Sequence, residues 1–304
     1  MTDPIPTPSA ERAEHMAREL ASQPEMWERI LHLDAARAGL PAPGRRVAVV
    51  GCGTSWFMAQ SYAVAREDAG GGVTDAFAAS EFFADREYDD VILLSRSGTT
   101  TEVLELADRL KGRVSTIGIV GDASSPLVTE VATPILLPFA DEQSVVQTRF
   151  ATTALALMLA SVGVDLEPAI ADARTAIAEE LPKGLVGAEQ YTFLGRGWTV
   201  GLAHEAALKM REASQSWTES YPSMEYRHGP ISIAAPGRVT WQFGEAPEGL
   251  SEQVAATGAW FEEGALHPLA ELVRAQRVAL ERARAKGLDP DSPRSLTRSV
   301  ILEP

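Results

Sequence analysis

Cysteine is almost missing: Cys52 is the single one in 304 residues. No intramolecular disulfide can form, and no thiolate set can close a structural zinc site. Histidine is scarce as well, five in all, and no Cys/His spacing resembles a metal motif. Basic residues are outnumbered, 27 Lys and Arg against 42 Asp and Glu, giving a net charge of −15. Such a field repels polyanions and argues against nucleic acid or an anionic membrane as partner. Any bound phosphate must be held by a local device. Long apolar runs are absent too: "ATTALALMLASVGV" has about 14 residues, where a bilayer-spanning helix needs about 20. The start, "MTDPIPTPSAERAEH", lacks the basic residues and apolar core of a signal peptide. A cytoplasmic setting is expected, with no metal and no cofactor.

What is present is a repeated strand, turn and helix. Residues 1–10, with Pro4, Pro6 and Pro8, read as a disordered lead-in. Residues 11–40 read as helix broken near Pro24, with Met16, Leu20, Met26, Trp27, Ile30 and Leu31 on its apolar face. Residues 41–165 read as a first unit. In "RRVAVVGCGTSWFMAQSYAVARE" a buried strand, Val47 to Val50, runs through a glycine turn into a helix capped by Thr54 or Ser55. "DDVILLSRSGTTTEVLELADRLKG" repeats the device, with a strand from Val91 to Leu94 and a helix ending at Gly112. "VSTIGIVGD" and "ATPILLP" supply two more strands, and a helix from about Val145 to Val162 closes the unit. Residues 185–290 start again at "EQYTFLGRGWTVGLAHEAALKMRE" and form a shorter copy that ends in a helix from about His267 to Lys286, followed by a polar tail over 291–304. Alternating strands and helices predict two α/β units, each a parallel sheet with helices on both faces, the second smaller.

The turns "GCGTS" (Gly51 to Ser55, with Gly53 and Thr54) and "SRSGTTT" (Ser95 to Thr101) both sit at carboxyl ends of strands and at helix starts. Backbone N–H groups and hydroxyls there can hold a phosphate without much side-chain charge. Either turn alone is also what any α/β fold uses to begin a helix. The third glycine of a dinucleotide fingerprint is missing, and no ribose-binding acid follows. In "HEAALKMRE", Glu205, Lys209 and Glu212 fall four and three apart and share one helix face. They are either a solvated ion-paired face or, on a helix this apolar, a buried carboxylate set able to move a proton. His228 precedes Gly229-Pro230, in a turn that suits a positioned acid or base.

Together "GCGTS", "SRSGTT", "EAALKMRE", "EYRHGP" and "DSPRSL" occur in the order found in the sugar isomerase (SIS) domain pair of glucosamine-6-phosphate synthase and its single-chain relatives, which the chain resembles over roughly residues 16 to 302. The resemblance implies two flavodoxin-like SIS subdomains, a sugar-phosphate ligand and a homodimer whose site is completed by the partner's histidine segment. It assigns phosphate binding to Ser55, Ser95, Ser97 and Thr100, and the sugar wall to Val145 and Gln147. Proton transfer between C1 and C2 falls to Glu212, support to Glu205 and Lys209, and ring opening to His228. Arg96 stands where the synthase has glutamine. Arg298 stands where the synthase has the lysine able to form a Schiff base; a guanidinium stays protonated and is a poor nucleophile, though it can bind an anion or polarise an oxygen. A chain beginning "MTDP" carries no cysteine nucleophile for taking ammonia from glutamine.

The expectation is an enzyme acting on glucosamine 6-phosphate or N-acetylglucosamine 6-phosphate by abstracting the proton at C2. Aldose–ketose isomerisation with deamination is placed first, and elimination of the C3 hydroxyl by a dehydratase second. A non-catalytic sugar-phosphate sensor is the reading from another class; the absence of a helix-turn-helix segment counts against it.

Overall fold

The computed structural model describes residues 13–83 and 85–302; the proline-rich lead-in lies outside them. Three helices come first: α1 (Glu14–Ala21), α2 (Gln23–Ile30) and α3 (Asp34–Ala38). The expected break at Pro24 falls earlier, at Ser22, because Pro24 occupies the first turn of α2, where a missing N–H costs nothing.

The first sheet contains β1 (Val47–Gly51), β2 (Thr74–Ala78), β3 (Asp90–Ser95), β4 (Ser115–Val120) and β5 (Thr133–Leu136), with α4 (Thr54–Asp68), α5 (Thr101–Leu110), α6 (Leu127–Glu130) and α7 (Arg149–Ser161) as partners. Its order is β2-β1-β3-β4-β5 and its paired strands run parallel. Every residue of β1 and β3 is buried, as strands covered on both faces require, and their unbroken apolar runs follow from that.

After α8 (Glu167–Ala178) and α9 (Lys183–Gly187), the second sheet contains β6 (Gln190–Gly195), β7 (Thr218–Pro222), β8 (Arg238–Phe243) and β9 (Trp260–Glu263), with α10 (Thr199–Ser214), α11 (Leu250–Ala255) and α12 (Pro268–Ala285). Its order, β7-β6-β8-β9, repeats the first sheet without the fifth strand. The repeat reaches single residues. A Cβ on Gly51 would lie 2.6 Å from the Ser55 Cβ, and one on Gly195 would run into the Thr199 backbone; each first strand thus needs glycine where it turns tightly under its helix.

α4 and α10, the helices after these turns, cross in contact. Gly201 allows it: a Cβ there would strike Ser61 and the Phe57 carbonyl. One hydrophobic core runs from Met16 and Trp27 through α7 to the second sheet and α12, so the two sheets share their packing. Among the described residues no helix is long and apolar enough to cross a membrane.

One boundary departs from expectation. α7 begins at Arg149 rather than Val145, because the buried Glu142 carboxylate accepts from the N–H groups of Thr148 (2.7 Å), Arg149 (2.7 Å) and Phe150 (3.0 Å). A carboxylate that takes the orphan donors of a helix start holds the chain before it in a loop. Val145 and Gln147 ride on that loop.

Candidate active site

In a sheet of order 2-1-3-4-5 the chain leaves β1 in both directions, and a crevice opens beyond the carboxyl ends of β1 and β3. A pocket of about 180 Å³ lies there, lined by both turns, by Val145 and Gln147, by Lys209 and Glu212, and by residues 296–300. The structure therefore brings together Gly53, Thr54, Ser55, Ser95, Arg96, Ser97, Thr100, Val145, Gln147, Lys209, Glu212 and Arg298. Glu205 lies just behind Lys209. His228 is elsewhere: it is the exposed last residue of a 3-10 turn, Glu225–His228, and is not part of this lining.

The hydroxyls on one wall are buried: Thr54, Ser55, Ser95 and Ser97 each expose 6% or less. The Ser95 hydroxyl accepts from the Gly98 N–H at 3.0 Å and so shapes the turn it belongs to. Ser97 and Thr100 face the tail instead, with the Ser299 hydroxyl 3.1 and 3.4 Å away. The Thr101 N–H, at the start of α5, donates to the Val300 carbonyl at 3.2 Å. In this arrangement the tail supplies oxygen to the helix N-terminus where an anion would be favoured.

On the opposite wall, α10 presents Lys209 in direct contact with Glu212, its ammonium 3.6 Å from Glu205. The face expected from the spacing is real, and at Glu205 and Lys209 it is buried rather than solvated. Glu205 is fully buried and neither of its oxygens has a hydrogen-bond partner. Burial, opposed by Lys209 and reinforced by Glu212, pushes its carboxyl up to about 8. Burial pulls Lys209 down, but Glu205 and Glu212 outweigh it and the ammonium stays charged. Lys209 thus touches Glu212 and stands 3.6 Å from Glu205, and burial favours the protonated form of Glu205.

A stability effect follows. The unfolded Glu205 ionises near its ordinary 4.5, and the folded one near 8. Between those values the unfolded state binds fewer protons, so stability falls as pH rises through that window and levels off above it. Melting curves of wild type and Glu205→Gln should diverge in the variant's favour across the window. A difference that stays flat would mean that Glu205 is already ionised throughout.

Arg96 and Arg298 do not behave as free cations. Arg96 is buried and donates to the carbonyls of Ser144 and Arg298, both at 2.8 Å, so it clasps the Glu142 loop to the tail; its Nε has no partner. Arg298, expected to approach the sugar, turns its guanidinium onto both Asp141 oxygens, at 2.7 and 2.8 Å, and onto the Glu142 carbonyl. Both Asp141 contacts come from one guanidinium nitrogen and draw the side chain toward the loop, while Arg298 still lines the pocket.

The sequence reading missed the groups that hold the tail. Asp291 accepts from the N–H groups of His15 and Met16, both at 2.8 Å, and so caps α1. Glu19 on α1 accepts from the Gln143 and Ser144 N–H groups at 2.6 and 3.2 Å. The one usable signal was an acidic pair, Asp141 and Glu142, ahead of an apolar helix. Cys52 also lines the pocket; burial pushes its thiol up, which disfavours the thiolate. The Gln147 carbonyl oxygen is buried there without a partner. Among the described residues no group of His, Cys, Asp and Glu could hold a metal ion.

Residues 42–162 match the family model described as SIS domain. The chain is 30% identical to glutamine–fructose-6-phosphate aminotransferase (isomerizing) of Aeropyrum pernix, an alignment covering 95% of this chain and 57% of that protein. With the same-named protein of a Nostoc species it is 27% identical, over 85% of this chain and 52% of the other. The chain thus spans about half the length of the curated relatives it matches. Among solved structures, glucosamine-6-phosphate deaminase of Thermotoga maritima superposes with a TM-score of 0.81 at 24% identity, covering 95% of this chain and all 100% of the other. Tagatose-6-phosphate ketose/aldose isomerase of Escherichia coli does so at 0.76 and 19% identity, covering 98% and 99%. These structural likenesses establish the two-sheet fold.

Proposed function

We propose that this chain, which carries an SIS domain over residues 42–162, is a sugar-phosphate enzyme that moves a proton at the carbon beside a carbonyl. The observation that carries the reading is the Glu212–Lys209 pair, set over buried Glu205 and opposite two hydroxyl-lined helix starts. The hydroxyl turns suit a phosphate monoester. Glu212, 20% exposed where Lys209 and Glu205 are each 1%, is the carboxylate that can reach a substrate. The names of the relatives point to hexose 6-phosphates, one of them an amino sugar.

The substrate we assign is glucosamine 6-phosphate in its open-chain form. Glu212 removes the C2 proton, giving an enolamine; reprotonation at C1 gives an imine at C2, and water releases ammonia and leaves the ketose phosphate. A second reading is favoured by a specific observation. The pocket's one primary amine is Lys209, buried and bound to Glu212, and Arg298 is turned onto Asp141, so no free amine is placed to form a Schiff base. An acetylated substrate, whose nitrogen cannot become an imine, would then lose its C3 hydroxyl as water from the same C2 anion.

Incubation with glucosamine 6-phosphate and with N-acetylglucosamine 6-phosphate separates these outcomes. Ammonia and ketose from the first support deaminating isomerisation, and an unsaturated product from the second supports dehydration. Absence of turnover on hexose and amino-hexose phosphates alike overturns the enzyme reading and leaves a sugar-phosphate sensor. His228 enters, in this proposal, from a second copy of the chain.

A further inference from the structure

Against α12, sharing no residue with the first pocket, lies a second concavity of about 580 Å³, within the usual size of small-molecule sites. Its walls come from the α8–α9 connection and the last turns of α12. Leu181 and Val186 give it an apolar floor, and Lys183, Arg277, Arg282 and Lys286 converge on it. In a chain with 15 more acidic than basic residues, four cations gathered in one groove stand out. Two acids share the rim, Glu180 and Glu281, and the second is engaged by Arg284 at 2.7 Å.

Among the described residues none of the four cations is ion-paired with a carboxylate. Their partners are neutral. Arg277 donates to the Ala176 and Glu179 carbonyls at 2.5 and 3.0 Å. Arg282, 9% exposed, donates to the Ser216 hydroxyl at 2.6 Å and the Val186 carbonyl at 2.7 Å. Lys286 reaches the same Ser216 hydroxyl at 3.0 Å and the Ser214 carbonyl at 2.8 Å. Two cations thus meet at one hydroxyl with no counter-charge between them. Burial first, and then Arg282, pull the Lys286 ammonium down. Glu179 and Glu281 offset part of this charge through space at Arg277, and the surplus that remains around Arg282 and Lys286 attracts an oxyanion.

We propose that this groove binds a small oxyanion ligand, a phosphate or carboxylate carried on a compact apolar body, and that its occupancy is felt at the catalytic helix. The link is short, one hydrogen bond from Lys286 and then two residues of helix. Ser214 is the last residue of α10, whose preceding turn carries Glu212. Lys286 holds its carbonyl, and an anion that draws Lys286 and Arg282 toward itself loosens that end of α10. Binding in the groove does not depend on the sugar-phosphate reading of the pocket; its effect at Glu212 rests on that reading.

Pyrophosphate is the probe, titrated calorimetrically at low ionic strength because the attraction is screened by salt. Ser97→Ala/Thr100→Ala silences the hydroxyl turns, and Lys183→Gln/Lys286→Gln, both at exposed positions, removes half of the groove's charge. Expected is one binding event that survives in the first variant and weakens about tenfold or more in the second, as loss of two charge-assisted contacts implies. Binding lost with the hydroxyl turns, or untouched by the lysine changes, overturns the proposal. So does a change in particle mass caused by the lysine changes, which would make the groove a contact between copies of the chain.

Discussion

Glu212→Gln should lower kcat by about 10²–10⁴-fold on whichever hexose phosphate the enzyme accepts, the usual contribution of a positioned proton-transfer group. Glutamine keeps the size and one acceptor oxygen of the carboxylate, but it takes the counter-charge from the buried Lys209 ammonium, so the variant should also lose stability, and its kinetics are to be read on protein shown by circular dichroism to be folded. The loss should appear in kcat and kcat/KM together, since the carboxylate acts on the reacting atom and phosphate binding is left to the turns. Exchange of the substrate C2 hydrogen with solvent deuterium, followed by NMR, should stop with it. Full activity in the variant would remove Glu212 from the chemistry, with the Gln147 carbonyl oxygen, buried and unpartnered in the same pocket, as the next polar group to test.

Lys209→Met should be the most destabilising single change in the site, by about 3 kcal/mol. Breaking a buried ion pair by removing one partner costs about 3–5 kcal/mol. The lower end applies here for two reasons: Glu212 can recover some water, and Glu205 is already neutral in the folded state. Urea denaturation of Lys209→Met, Glu212→Gln and the double variant gives the coupling between them. If the double variant is no more stable than Lys209→Met, the cost comes from lost packing of the lysine stem, and the charge argument fails.

The parts that could be read from the sequence are those whose signal is local. The strands that end at Gly51 and Ser95 announce themselves by unbroken apolar runs ending in small and hydroxyl residues. The Glu205, Lys209 and Glu212 face needs only the period of a helix. The tail's anchorage was hidden because each contact joins distant residues: Asp291 to Met16 across 275 positions, Arg298 to Asp141 across 157 and Arg96 to Arg298 across 202. Nothing around Arg298 tells a guanidinium aimed at a substrate from one aimed at a neighbouring aspartate. The misplaced start of α7 has the same origin, since the apolar pattern runs back to Val145 while Glu142, outside the helix, sets its first turn.

The cap that Asp291 places on α1 ties the two ends of the described chain together. From the same segment Arg298 holds Asp141. The wall that narrows the crevice over β1 and β3 is therefore fastened to α1 and to the Glu142 loop, so a change in α1 reaches the crevice without touching either sheet.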